Sequence, residues 1–123
     1  GGAVEDEESP ADGSVREIKE ELSIELKKED LKFLSTDYIQ RNLTKSWGDA
    51  IRFVFFAGIL SDEQISKIKL QESELKSMEF VDVKELPKKL SQHTARAIMK
   101  SVEVYKNNSG IYLEGGETID EIG

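Results

Sequence analysis

Apolar residues recur at Ala11, Val15, Ile18 and Leu22, a spacing that gathers them into one stripe along a helix. Ser9 before Pro10, with Asp12 three residues after the serine, marks the start of that helix: an N-cap, a proline at the first helical position and a short capping box. Downstream the period changes. Asp30 to Arg41 carries Phe33, Tyr38 and Ile39 and reads as a strand, entered through the turn Lys27-Lys28-Glu29-Asp30. Asn42 to Asp49 is rich in turn formers. Ala50 to Leu60 is the most apolar run, dense in aromatic and β-branched residues, and predicts a central strand buried on both faces. Ser61 to Glu74 opens as a short helix and continues as an acidic loop, and Met78 to Val83 alternates like a strand with one exposed face until Lys84-Glu85-Leu86-Pro87 breaks it. Ser91 to Asn107 predicts an amphipathic helix with Ala95, Ile98, Val102 and Tyr105 on one face. Asn107-Asn108-Ser109-Gly110 ends it, and Ile111 to Leu113 adds a short strand. This order predicts an α/β protein of the α+β kind, built on a mixed sheet; residues 1–123 suffice for one domain with its own core.

The polar side of the first helix is the informative part. Glu17 is followed by Glu20 and Glu21, so on a helix it stands beside both at i,i+3 and i,i+4. Like charges at these spacings repel by a few tenths of a kcal/mol per pair, so the arrangement calls for a neutralising cation or partner. A hard divalent ion answers that need, because Mg²⁺ takes oxygen ligands, keeps several waters and shares its shell with substrate phosphates. Most acidic runs are solvated surface. Here the charge is too concentrated for that reading: the first 24 residues hold eight acids and two bases, whereas the other 99 are nearly balanced within a net charge of −8. The D-x-D-x-D-G spacing of a calcium loop is absent.

From Gly2 the chain runs glycine, five residues, Glu8, seven residues, then Arg16-Glu17-Ile18-x-Glu20-Glu21-x-Ser23-Ile24. This resembles the Nudix box of nucleoside-diphosphate-linked hydrolases at every fixed position except Ser23, where a glycine is usual. The resemblance implies an α/β/α sandwich with N-terminal strands ahead of Gly1-Gly2, so this chain is expected to be a single Nudix-type domain lacking that N-terminal piece. It implies Mg²⁺ or Mn²⁺ held by Glu17, Glu20 and Glu21, with Gly2 offering its backbone carbonyl or a close approach. Arg16 and Glu8 become the orienting pair, the guanidinium reaching back to the carboxylate by paired hydrogen bonds. Ser23 falls where a left-handed residue ends the helix, at a steric cost of about 1 kcal/mol, which should tell on stability more than on activity.

The implied reaction is metal-assisted hydrolysis of a diphosphate linkage in a nucleoside diphosphate derivative, either nucleotide-sugar or ADP-ribose-like molecules or oxidised nucleoside triphosphates. The other reading is a Nudix-fold module that binds nucleotides for regulation without hydrolysis; such modules usually lose box glutamates, which this chain keeps. Members of the family draw the general base from the box or from a loop before the last strand. Glu74, six residues ahead of Phe80, occupies that loop, though it reads equally as one solvated acid beside Glu72 and Glu79. Trp47 could stack on a nucleobase or cover the edge of the core, and Arg52 could meet a phosphate or form a salt bridge. His93, near a helix N-terminus, reads as a surface or capping residue rather than a base. Without cysteine there is no disulfide framework and no thiolate site, which fits a cytoplasmic location. No run of 18 apolar residues suggests a membrane span, and the acidic balance disfavours a nucleic-acid polymer as partner. A small-molecule substrate and, as an assembly, a homodimer complete the expectation.

Overall fold

The computed structural model describes residues 3–44, 48–71 and 77–122. Its elements run α1 (Pro10–Leu22), β1 (Lys32–Ile39), α2 (Arg41–Thr44), β2 (Ala50–Phe56), α3 (Asp62–Ser66), α4 (Leu86–Lys89), α5 (Gln92–Lys106), β3 (Ile111–Glu114) and α6 (Ile119–Ile122), with single 3₁₀ turns at Lys28–Asp30 and Val83–Glu85. The class is the α+β expected from the sequence, around a three-stranded mixed sheet of order β2-β1-β3. The chain divides into two compact units, residues 1–32 with 57–80, and residues 33–56 with 81–123. Among the described residues no helix is long and apolar enough to cross a membrane.

In the first unit α1 starts and stops where the sequence says it should. Ser9 is extended and its Oγ accepts from the Asp12 amide at 3.1 Å, with Pro10 at the head of the helix. The hydroxyl also donates to Asp12 Oδ2 at 2.9 Å, so serine and aspartate share both of their short contacts. Ser23 ends the helix in the left-handed region, φ +60°, its amide bonded to the Lys19 carbonyl. The chain returns beside this end: the amides of Lys69 and Gln71 donate to the Leu22 and Glu21 carbonyls, both at 3.0 Å, satisfying two acceptors the helix leaves open. Ser61 and Gln64 form a reciprocal capping box at the start of α3.

The second unit holds the sheet and α5. β1 and β3 are parallel, with Ser35 opposite Ile111 and Asp37 opposite Leu113. α5 packs on β2 and β3 through small residues: Ala95, Ala97 and Ser101 are its buried positions. Ser101 spends its one proton on the Ala97 carbonyl at 2.7 Å, so Ser35 must be the donor in the 2.7 Å hydroxyl pair between them. The helix face expected from Ile98, Val102 and Tyr105 is therefore displaced towards Ala97 and Ser101, because small side chains let helix and strand approach. Tyr105 lies nearer the rim, its ring 4.3 Å from that of Phe56.

Two strand expectations are corrected. β2 ends at Phe56 rather than Leu60 and lies at the edge of the described sheet, where Ile51 and Phe53 are exposed; β1 is the central strand. Apolar density alone does not distinguish a strand buried on both faces from an edge strand. Met78 to Val83 forms no strand: it is irregular chain with Phe80 exposed, leading into the Val83–Glu85 turn that Asp82 caps by accepting from the Lys84 amide.

Candidate functional site

α1 projects Arg16, Glu17, Glu20 and Glu21 from its second half, and the turn before it supplies Glu5 and Glu8. Glu7 adopts φ +62°, a left-handed conformation costly for a side chain of its size. That turn closes through the Glu8 amide to the Glu5 carbonyl, and Glu8 Oε1 accepts in return from the Glu5 amide at 2.9 Å. The Glu8 carboxylate is thereby aimed at α1. Gly13 keeps the approach open, since a Cβ there would lie 3.1 Å from Glu8 Oε1 and from Val4 Cγ1.

Arg16 uses all five of its N–H donors. Nε and Nη2 grip the two oxygens of Glu8 at 2.8 and 3.1 Å, and Nη2 also reaches the Ala3 carbonyl at 3.1 Å. Nη1 donates to Glu17 Oε1 at 3.0 Å and to Glu20 Oε2 at 3.1 Å, with Glu5 Oε1 3.4 Å away. The grip of Arg16, with the Glu5 amide, holds the Glu8 carboxyl below the usual range for glutamate, and Glu8 in turn raises the Arg16 pKa. Glu17 is well shielded while Glu20 stands half in solvent. Glu21 lies one position on, partly buried, with its backbone carbonyl bonded to Gln71.

Among the described residues no three carboxylate or histidine side chains come together as a group able to hold a metal ion. The donors nevertheless suit a hard divalent cation: all are carboxylate oxygens, and those of Glu17 and Glu20 already converge on one positively charged nitrogen. Gly2, Trp47 and Glu74 lie outside the described residues. A cavity of about 450 Å³ opens at the far end of α1, lined by Lys19, Ser23, Ile24, Glu25, Gln64 and Lys67, with none of the box carboxylates in its wall. The chemistry of the glutamates, not the size of this hollow, marks the candidate site.

Arg52 and His93 lie against each other. Arg52 does point opposite to Ile51 and Phe53, but it is the arginine that is partly buried and the apolar pair that is exposed. Its Nη2 lies 3.2 Å from His93 Nδ1, which puts His93 partly inside the protein rather than at its surface. Burial, then the charge of Arg52, lowers the histidine pKa, against an opposing pull from Asp37. The neutral ring with Nδ1 as acceptor is thus the favoured form.

Around it lies a polar network that sequence reasoning missed. Asp37 is fully buried and accepts from the Gly116 amide at 3.0 Å; Arg96 Nη2 donates to the Gly115 carbonyl at 2.9 Å; the Gly115 amide donates to the Tyr38 carbonyl at 2.7 Å. Both glycines have positive φ. The available signal was an aspartate in an inward position of an apolar strand together with a Gly-Gly pair.

Neither the curated proteins nor the solved structures contain a match to this chain. A family model does: the NUDIX domain matches residues 1–101. With the match covering well over half its length, the chain belongs to the Nudix family, whose hydrolases act generally on pyrophosphate-containing substrates.

Proposed function

We propose that this chain is a divalent-metal-dependent hydrolase of the diphosphate linkage in nucleoside diphosphate derivatives. The observation that carries the reading is the intact set Glu17, Glu20 and Glu21 on one helix, with two of the three converging on a shared cation. Glu17, Glu20 and Glu21 would hold Mg²⁺ or Mn²⁺, and Gly2 would add a backbone contact. Bound there, the ion supplies neutralisation of phosphoryl charge and a lowered pKa for the attacking water. Arg16 and Glu8 would set the positions of the carboxylates ahead of metal entry, because the doubly bonded fork fixes the guanidinium in direction as well as distance. The proton of the attacking water passes to Glu74 or to Glu17, the two carboxylates offered by the loop and by the box. Trp47 and Arg52 are weaker candidates for substrate contact; Arg52 keeps Nη2 on His93, while its buried Nη1 has no hydrogen-bond partner.

The substrate classes in question are nucleotide-sugar or ADP-ribose-like molecules and oxidised nucleoside triphosphates. A cytoplasmic location and action by one domain spanning residues 1–123 belong to the same reading. A panel of these compounds, followed by phosphate or pyrophosphate release with and without Mg²⁺, tests it. Metal-dependent turnover of one class supports hydrolysis; nucleotide binding with no turnover on any member supports a regulatory module instead.

A further inference from the structure

Arg16 holds its acceptors in two separate groups. Nε and Nη2 face Glu8 and the Ala3 carbonyl, on the turn ahead of the helix, while both hydrogens of Nη1 go to Glu17 and Glu20, on the helix itself, with Glu5 Oε1 of the turn a longer 3.4 Å from that nitrogen. The second group consists of two of the carboxylates read above as metal-holding. A cation bound by those carboxylates would stand close to the guanidinium charge that already engages one oxygen of each, and the repulsion between the two positive charges would set them in competition for Glu17 and Glu20. The first group is undisturbed by such an exchange, since Glu8 and Ala3 precede the helix. Arg16 can therefore release two of its five bonds and keep three.

We propose that Arg16 is an internal counter-ion: its Nη1 group neutralises Glu17 and Glu20 in the metal-free protein and gives them up when a divalent cation enters, while Nε and Nη2 remain on Glu8. This rests on the reading of Glu17, Glu20 and Glu21 as metal-holding residues. It accounts for the placing of one guanidinium nitrogen between two carboxylates one turn apart on α1. It also makes a distinctive claim about sign. If Arg16 served only to orient the ligands, its loss would weaken metal binding; a competing counter-ion, once removed, leaves metal binding tighter.

The test is Mn²⁺ affinity, measured by calorimetry or by the loss of free-ion paramagnetic signal, in the wild type, Arg16→Gln and Lys19→Gln. Lys19 is an exposed cation on the same helix, paired with Glu25, and controls for the general gain from removing a positive charge. Arg16→Gln should bind Mn²⁺ severalfold more tightly than the wild type and clearly more tightly than Lys19→Gln, while melting at a lower temperature without metal. Weaker or unchanged binding in Arg16→Gln, or a gain no larger than that of Lys19→Gln, overturns the counter-ion and leaves the metal site standing. A wild type that binds no Mn²⁺ overturns both. Should Arg16→Gln fail to fold, nitrogen-detected NMR of the wild-type Arg16 side chain decides. Titration with diamagnetic Mg²⁺ should shift the Nη1 resonances and speed their exchange while the Nε–H signal stays in place; an Nη1 group indifferent to saturating Mg²⁺ overturns the proposal.

Discussion

Gly116 is the position where a single methyl group should do most damage. Its φ of +82° lies in the region that costs an L side chain about 1–2 kcal/mol. A Cβ there would also lie 2.8 Å from the His93 carbonyl oxygen, 2.9 Å from Arg96 Cβ and 3.3 Å from the Ala97 amide. These are atoms of α5 itself, which cannot swing aside as the end of a long side chain can, so an overpacking cost of about 1–3 kcal/mol adds to the strain. Alanine recovers about 0.4–1 kcal/mol by restricting the unfolded chain. The net loss is about 2–3 kcal/mol, and for a chain of this size that corresponds to a fall of roughly 10 °C in melting temperature. Gly58→Ala is the control, because Gly58 has φ +96° but nothing within 4 Å of its would-be Cβ. It carries the strain without the collision and should fall by only a few degrees. Thermal melts followed by circular dichroism give both numbers. If Gly116→Ala loses no more than Gly58→Ala, the turn is not pressed against α5 as described and the Asp37 to Gly116 bond is not what fixes it.

Ser23→Gly should change the melting temperature by no more than a few degrees and activity hardly at all. Relief of about 1 kcal/mol of left-handed strain is offset by glycine's unfolded-state entropy and by losing the long 3.4 Å contact from Ser23 Oγ to the Lys69 carbonyl, and a larger drop would show that this contact matters more than its length suggests. The lowered pKa of His93 predicts a pH dependence of definite sign. The unfolded chain takes up the proton more readily than the folded one, so stability is complete above about pH 6.5 and declines as the pH falls through the folded pKa. Urea unfolding midpoints at pH 7.5 and 5.5 should therefore differ less in His93→Gln than in the wild type, and equal differences would remove the histidine from the account. Glu74→Gln should lower kcat with little change in KM, with Glu72→Gln as control; if the two variants behave alike, the base lies in the box and Glu17 is the first candidate.

The helix that carries the candidate site was legible residue by residue, since its signals are local. Ser9 and Pro10 set its start, the left-handed Ser23 its end, and the glutamate spacing its charged side. The sheet was less legible because position within a sheet is decided by distant partners. Ala50 to Phe56 has the composition of a central strand, yet β1 takes the middle by pairing with β3, more than 70 residues later in the chain. Met78 to Val83 shows the same limit: alternation predicts a strand only where a neighbour is available to pair with it. The Asp37, Arg96 and Gly115-Gly116 network escaped because its members come from three separate segments and none has a recognisable spacing. Its outline was hidden in one residue, an aspartate facing inward from an apolar strand, which requires a buried partner somewhere in the fold.

Whether the glutamates of α1 are the metal-dependent catalytic apparatus is decided by Mg²⁺-dependent turnover of the best substrate by the wild type, Glu20→Gln and Glu21→Gln, alongside their melting temperatures. Each substitution removes a ligand charge and keeps the shape of the side chain. Turnover should fall by more than about 100-fold, since even outer-shell partners of a metal are worth about 10- to 100-fold, while the metal-free proteins melt close to the wild type. Full turnover by both variants at low Mg²⁺ would mean that the glutamates of α1 do not hold the catalytic metal.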